Sequence, residues 1–181
     1  MIYLISDTHF NHKNIIQYEN RPFSSIEEMN NEMIKRWNAV VKEDDIVLHL
    51  GDVGLGNESS LKRIIPSLNG HKILIRGNHD QKSKKFYLDC GFEEVRPSFI
   101  QEFEGERIYF SHRPDTRPGN RHDTYTMHFY GHVHSKDYNG ALPTIARNGA
   151  CLCVERWDYT PVEITKVIEM CKNSGIIADS I

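Results

Sequence analysis

The sequence predicts an α/β fold, and three observations carry that reading. Short β-rich runs at residues 2–5, 46–50 and 72–75 are separated by stretches of helical period, so the first half reads β-α-β-α-β. From about residue 90 the runs become strand-like and closely spaced, broken by Gly, Pro and charged turns. At 181 residues, 39% hydrophobic and 26% charged, the chain is long enough to bury one core of its own. A single domain over residues 1–172 with a C-terminal tail at 173–181 is the expected organisation.

Each element has a local reason. Ser24 or Ser25 can cap a first helix whose apolar positions Ile26, Met29, Met33, Ile34, Trp37, Val40 and Val41 follow three-and-four spacing. A second helix starts from a cap near Asn57, buries Leu61, Ile64 and Ile65, and ends close to Pro66, because a residue before proline is biased away from the helical region. Residues 81–88 read as a third helix. Strands follow at 92–95, 98–103, 106–110, 127–130, 144–147, 150–154 and 161–164, with Glu104-Gly105-Glu106 as a hairpin tip. An amphipathic helix over 165–172 closes the domain. The stretch 111–126, SHRPDTRPGNRHDTYT, is almost free of apolar residues, and a loop of that length in a small domain is more often functional or mobile than neutral.

Composition removes several classes. The formal charge of -3 provides no global field that would gather phosphate backbones, so nucleic acid is the less favoured substrate and an anionic substrate has to be held locally. The opening Met-Ile-Tyr-Leu-Ile turns polar at Ser6-Asp7, too short for a signal peptide or a membrane span, so the expectation is a cytoplasmic protein with no membrane partner. Cys90, Cys151, Cys153 and Cys171 do not form a disulfide framework, and a lone C-x-C lacks zinc-finger spacing; buried reduced thiols are expected. Oligomeric state has no signature.

The strand ends carry the chemistry. YLISDTH, VLHLGDV, ILIRGNHD, IYFSHRP and HFYGHVH each pass from an apolar run almost at once to Asp, Asn or His. In open α/β sheets the carboxyl ends of neighbouring strands face one crevice, so five polar ends become one site. Independent turns have no reason to choose His five times, at His9, His79, His112, His132 and His134. In an extended strand i and i+2 share a face, so Asp7 with His9, and His132 with His134, are expected to present paired donors from regular, unstrained backbone. Glycine precedes the polar residue at Gly51, Gly77 and Gly131, as close backbone approach requires. Asp7, His9, Asp52, Asn78, His112, His132 and His134 are seven candidate ligands, too many for one tetrahedral ion and enough for two that share a carboxylate. Imidazole, carboxylate and amide donors suit Mn, Fe, Zn or Ni, with Mn placed first.

The order D-x-H, GD, GNHD, isolated H, G-H-x-H resembles the calcineurin-like metallophosphoesterase superfamily, with all five motifs present between Asp7 and His134. The resemblance implies a two-sheet β-sandwich flanked by helices, in αββα layers, with a dinuclear site at the strand ends. One ion would be held by Asp7, His9, Asp52 and His134, and the other by Asp52, Asn78, His112 and His132. It further implies hydrolysis of phosphate esters by a hydroxide that bridges the two ions. His79 is left to stabilise the phosphoryl charge or protonate the leaving oxygen, with Asp80 expected to orient it. The second motif continues as Gly51-Asp52-Val53-Gly54, without the D-R-G of Ser/Thr protein phosphatases, which argues against a phosphoprotein substrate. The D-T-H-F-x-H start and the late Trp157-Asp158-Tyr159-Thr160-Pro161 are similar to small bacterial and phage predicted phosphoesterases.

Substrate contacts are sought nearby. Arg113, Arg117, Arg121 and His122 follow the fourth motif, and Arg suits bidentate phosphate contact, although Asp115 and Asp123 offer the loop its own pairing. Asn11 and His12, just after the first motif, are further candidates. Arg21, His49, His71 and His128 are read as structural. The expected function is hydrolysis of a small phosphodiester or nucleotide. The competing readings are a nuclease of the same superfamily, weakened by the acidic balance, and a non-catalytic protein-binding scaffold, opposed by the completeness of the ligand set.

Overall fold

The first strand, β1 (Ile2–Ile5), is apolar on both faces: Tyr3 and Ile5 enter one buried cluster and Leu4 another, so it lies between two packed layers. The structure is a computed structural model and describes residues 1–120, 122–135 and 144–174. β2 (Ile46–His49), β3 (His71–Ile75) and β4 (Phe92–Arg96) continue β1 as a parallel sheet. The second sheet is built from β5 (Ser98–Phe103), β6 (Glu106–Ser111), β7 (Met127–Tyr130), β8 (Ile145–Ala146) and β9 (Gly149–Cys151), in the order β5-β6-β7-β9-β8. β10 (Val162–Glu163) pairs antiparallel to β1, so the first sheet runs β10-β1-β2-β3-β4.

Leu4, Leu48 and Ile75 of the first sheet meet Ile108, Phe110, Met127 and Phe129 of the second, which makes the sandwich core. The outer face of the first sheet is covered by helices. Ser25 caps α2 (Ile26–Val40) by accepting from the Glu28 N–H, and the helix buries Met29, Met33 and Trp37; Asn57 caps α3 (Glu58–Ile64), which buries Leu61 and Ile64. α5 (Ile164–Ser174) buries Val167, Ile168 and Cys171 in the inter-sheet cluster. Two sheets flanked by helices is the expected architecture.

Beyond shifts of a residue or two at strand ends, the structure differs from the sequence reading in the following places. A short helix, α1 (Lys13–Tyr18), was not foreseen; it has no side-chain cap bond and buries only Ile15, so it leaves no periodic signal. The third predicted helix is α4 (Lys84–Asp89), which begins three residues late because the Ser83 hydroxyl caps it. The strand predicted over 150–154 ends at Cys151, and residues Val154–Arg156 turn as a 3-10 helix. The last helix reaches Ser174, two residues into the predicted tail; residues 175–181 lie outside the described residues. All four cysteines are free and buried, and among the described residues no helix is long and apolar enough to cross a membrane.

Candidate metal centre

The parallel strands β1, β2 and β3 of one sheet and β6 and β7 of the other end toward the same place. Their loops carry Asp7 and His9, Asp52, Asn78 and His79, His112, and His132 and His134. The expectation of regular strand geometry there is wrong. Asp7, His9, Asp52, His132 and His134 have φ of 58°, 49°, 57°, 73° and 49°, the left-handed region that non-glycine residues rarely occupy. Each such residue costs on the order of 1–3 kcal/mol and persists only where its surroundings over-determine it. The donors therefore converge because the chain turns sharply after each strand, not because it stays extended.

Two groups of side chains result. In the first, His134 Nε2 lies 3.5 Å and His9 Nε2 3.9 Å from Asp7 Oδ1. The other Asp7 oxygen is fully engaged: Oδ2 accepts from the Ser6 hydroxyl at 2.5 Å, the His132 N–H at 2.9 Å and the Cys153 thiol at 3.3 Å. That leaves Oδ1 and His9 Nε2 buried without any hydrogen-bond partner. In the second group, His112 Nε2 is 3.0 Å from Asn78 Oδ1, and His132 joins it with its ring 5.1 Å from that of His112.

Asp52 stands between the groups. Its Oδ2 is 3.6 Å from His9 Nε2 and 3.4 Å from His112 Nε2, while Oδ1 accepts the His79 N–H at 2.8 Å. One carboxylate oxygen thus faces both sets of donors and the other is tethered to backbone. Burial alone would lower the His112 pKa, but the carboxylates of Asp52 and Asp7 outweigh it and push it up to about 9. Burial raises the Asp52 carboxyl, yet the hydrogen bond and charge of His112 hold it below the ordinary range. For His9 burial dominates and drives the pKa well down, so its ring is neutral with a lone pair to offer.

These donors fit divalent metal. Ligand atoms each about 2.1 Å from one ion lie roughly 3–3.5 Å apart, close to the separations found in both groups. Buried polar atoms without partners are costly, and in the first group a cation would satisfy both that stand open. The sequence of residues 1–155 matches the model of the calcineurin-like phosphoesterase superfamily domain. The chain belongs to that superfamily.

One curated relative matches nearly the whole length of the chain and another matches less than half of it. It is 37% identical over 179 residues to the uncharacterized protein MJ1445 of Methanocaldococcus jannaschii, covering 97% of this chain and 94% of that one. The gene 66 protein of Mycobacterium phage L5 is 35% identical over 78 residues, 41% of this chain and 37% of the phage protein. Among solved structures, a protein of unknown function from Aquifex aeolicus superposes with a TM-score of 0.72 at 28% identity, covering 93% of this chain and 98% of that one.

Around these donor groups, other expected residues sort by what they touch. The His79 side chain is exposed, its ring 5.5 Å from that of His9. Asp80 does not orient it. The two Asp80 oxygens accept from the backbone N–H groups of Asp52, Val53 and Gly77 and from the Tyr87 hydroxyl, so this carboxylate ties the second motif to the third. His12 is at the site, Nδ1 3.4 Å from His9 Nδ1. Asn11 instead pairs with Asn30 of α2: Asn30 Nδ2 donates to its side-chain oxygen at 2.8 Å and its N–H donates back at 3.1 Å. Arg113 and Arg117 line a cavity of about 540 Å³ that Asn78 and His112 also line, and Arg113 pairs with Asp115 at 3.0 Å. His122 is exposed and absent from that lining, and Arg121 lies outside the described residues.

Two glycines are needed for contact. A Cβ on Gly131 would sit 1.9 Å from Ser6 Oγ and 2.3 Å from Asp7 Oδ2, and one on Gly77 would sit 2.2 Å from Asp52 Oδ1. Sequence reasoning missed Glu155 altogether and set Arg21 and His49 aside as structural. Arg21 Nη2 and Nη1 donate to the Asp7 and Thr8 carbonyls, each at 2.8 Å, and Glu155 accepts from Arg21 and from His134 Nδ1. The buried His49 ring accepts the Gly51 N–H at Nδ1 and bonds Thr8 Oγ1 through Nε2, joining the first two motif loops. Arg21 could have been flagged by its place in NRPF beside the first motif; Glu155, in VERW, had no local signal.

Proposed function

We propose that this chain is a dinuclear-metal-dependent phosphoesterase acting on small phosphodiesters or nucleotides in the cytoplasm. The observation that carries the reading is the single Asp52 oxygen facing two donor groups, one of which leaves two buried polar atoms without partners. Asp7, His9, His134 and Asp52 would hold one ion, and Asp52, Asn78, His112 and His132 the other; Mn, Fe, Zn or Ni suits these donors, Mn first. Such a pair of ions, when bound, lowers the pKa of water and offsets negative charge on the phosphoryl oxygens.

The rest is the work of the chain. The backbone N–H of His79 fixes Asp52 while its exposed ring stands beside the His9 cluster, where it can donate a proton to a leaving oxygen. Asp80 holds the loops of Asp52 and Asn78 together. His12 stands against His9, and Arg113 and Arg117 bring cationic side chains to the cavity beside Asn78 and His112, where a substrate phosphate or its ester group can lie. Four buried thiols without a disulfide support a reducing compartment. A protein-binding scaffold gives no reason to keep Asp7 Oδ1 and His9 Nε2 buried and unpaired.

The test is hydrolysis of bis-p-nitrophenyl phosphate and p-nitrophenyl phosphate after metal stripping and re-addition of Mn, Fe, Zn or Ni. Turnover should return with metal and be lost beyond ~100-fold, the upper range for outer partners of a metal site, in Asp52→Asn. His79→Ala should lose turnover while still binding metal. A folded, metal-loaded wild type inactive on both esters and on nucleotides contradicts the reading.

A further inference from the structure

Arg21 and Glu155 form an ion pair with the Arg21 side chain fully buried and the Glu155 side chain 4% exposed. A buried ion pair is a poor source of stability, since desolvation offsets most of the attraction and apolar residues of equal volume do as well. Its retention is better explained by what it touches. Glu155 Oε1 accepts from Arg21 Nε at 3.0 Å and Nη2 at 2.6 Å, and lies 3.0 Å from His134 Nδ1. An ionised carboxylate can only accept, so His134 Nδ1 carries a proton and, in the neutral ring that can bind an ion, Nε2, 3.5 Å from Asp7 Oδ1, is the lone-pair nitrogen. Arg21 meanwhile holds the carbonyls of Asp7 and Thr8, the backbone from which Asp7 and His9 project.

We propose that Glu155 and Arg21 are positioning residues for the first metal: Glu155 fixes the tautomer and direction of His134, and Arg21 locks Glu155 to the Asp7–His9 loop. The proposal rests on the dinuclear reading and adds two residues, 134 positions apart in the chain, that none of the five motifs contains. It is specific to one half of the centre. In the other half His112 Nδ1 donates to the Leu50 carbonyl at 2.8 Å, so backbone performs the same task there.

The test is calorimetric titration of Mn²⁺ into the metal-stripped full chain, comparing wild type, Glu155→Ala, Glu155→Gln and His134→Ala, with circular dichroism to confirm folding. Wild type should bind two equivalents. Glu155→Ala should weaken one of them about 10–100-fold, the same one that His134→Ala loses, and leave the other unchanged. Glu155→Gln keeps an acceptor oxygen and should fall between; it decides the matter if the alanine variant does not fold. Folded variants that bind both ions as wild type does, or that weaken both equally as a general loss of packing would, overturn the proposal while the dinuclear reading stands. A wild type that binds no Mn²⁺ overturns the dinuclear reading itself and this proposal with it.

Discussion

On the dinuclear reading, the two donor groups solve one problem in different ways. To bind an ion, each would present an imidazole with its proton on Nδ1 and its lone pair on Nε2. The half around His112 obtains this from the Leu50 carbonyl, at the end of the β2 run, whereas the half around His134 uses a buried carboxylate, Glu155, backed by a buried guanidinium. The first device comes with the strand and cannot be removed by substitution. The second depends on two side chains delivered from opposite ends of the chain, so it is where this site can be taken apart one half at a time.

The largest effect expected is from Gly131→Ala. Its methyl group would meet Ser6 Oγ at 1.9 Å, Asp7 Oδ2 at 2.3 Å and Ser6 Cβ at 2.8 Å, and rotating the Ser6 hydroxyl away does not relieve the last. This variant should fold yet lose the ion shared by Asp7, His9 and His134, and with it ester hydrolysis, while the half around His112 still binds one. Metal stoichiometry after desalting checks it. Two ions per chain would show that the first half tolerates what its geometry forbids.

What could be read in advance follows from how locally each feature is encoded. The β-α-β frame and the gathering of the seven candidate donors were legible because apolar runs and Asp, Asn and His recur at strand ends, a pattern that survives without tertiary information. The left-handed backbone of Asp7, His9, Asp52, His132 and His134 was not, since nothing in D-T-H or G-H-V-H distinguishes a sharp turn from an extended strand. Asp80 was misread for a physical reason: a carboxylate next to His79 suggests an imidazole partner, but three backbone N–H groups from two loops compete for it and win. Glu155 was hidden because residues 150–154 look like a strand that continues, and the turn at Val154–Arg156 is what directs it to His134.

A smaller effect should touch both halves equally. His49 joins the loops of Asp7 and Asp52, and burial lowers its pKa to about 3, against an ordinary value of about 6.5 in the unfolded chain. Its neutral form supports the fold fully above pH 6.5, and that support is lost progressively as pH falls from there toward 3, because the unfolded chain takes up the proton first. His128, lowered by burial to about 4, acts in the same window. The urea midpoint of metal-free protein should therefore drop between pH 6.5 and 4, and the drop should be shallower by about one proton in His49→Gln. An unchanged slope would remove His49 as the strut between the halves.

The most direct measurement is anomalous diffraction from crystals of the full chain loaded with Mn²⁺. Two peaks should flank Asp52 Oδ2, one among Asp7, His9 and His134 and the other among Asn78, His112 and His132. A single peak, or peaks that do not share Asp52, would contradict a dinuclear centre built on that one carboxylate.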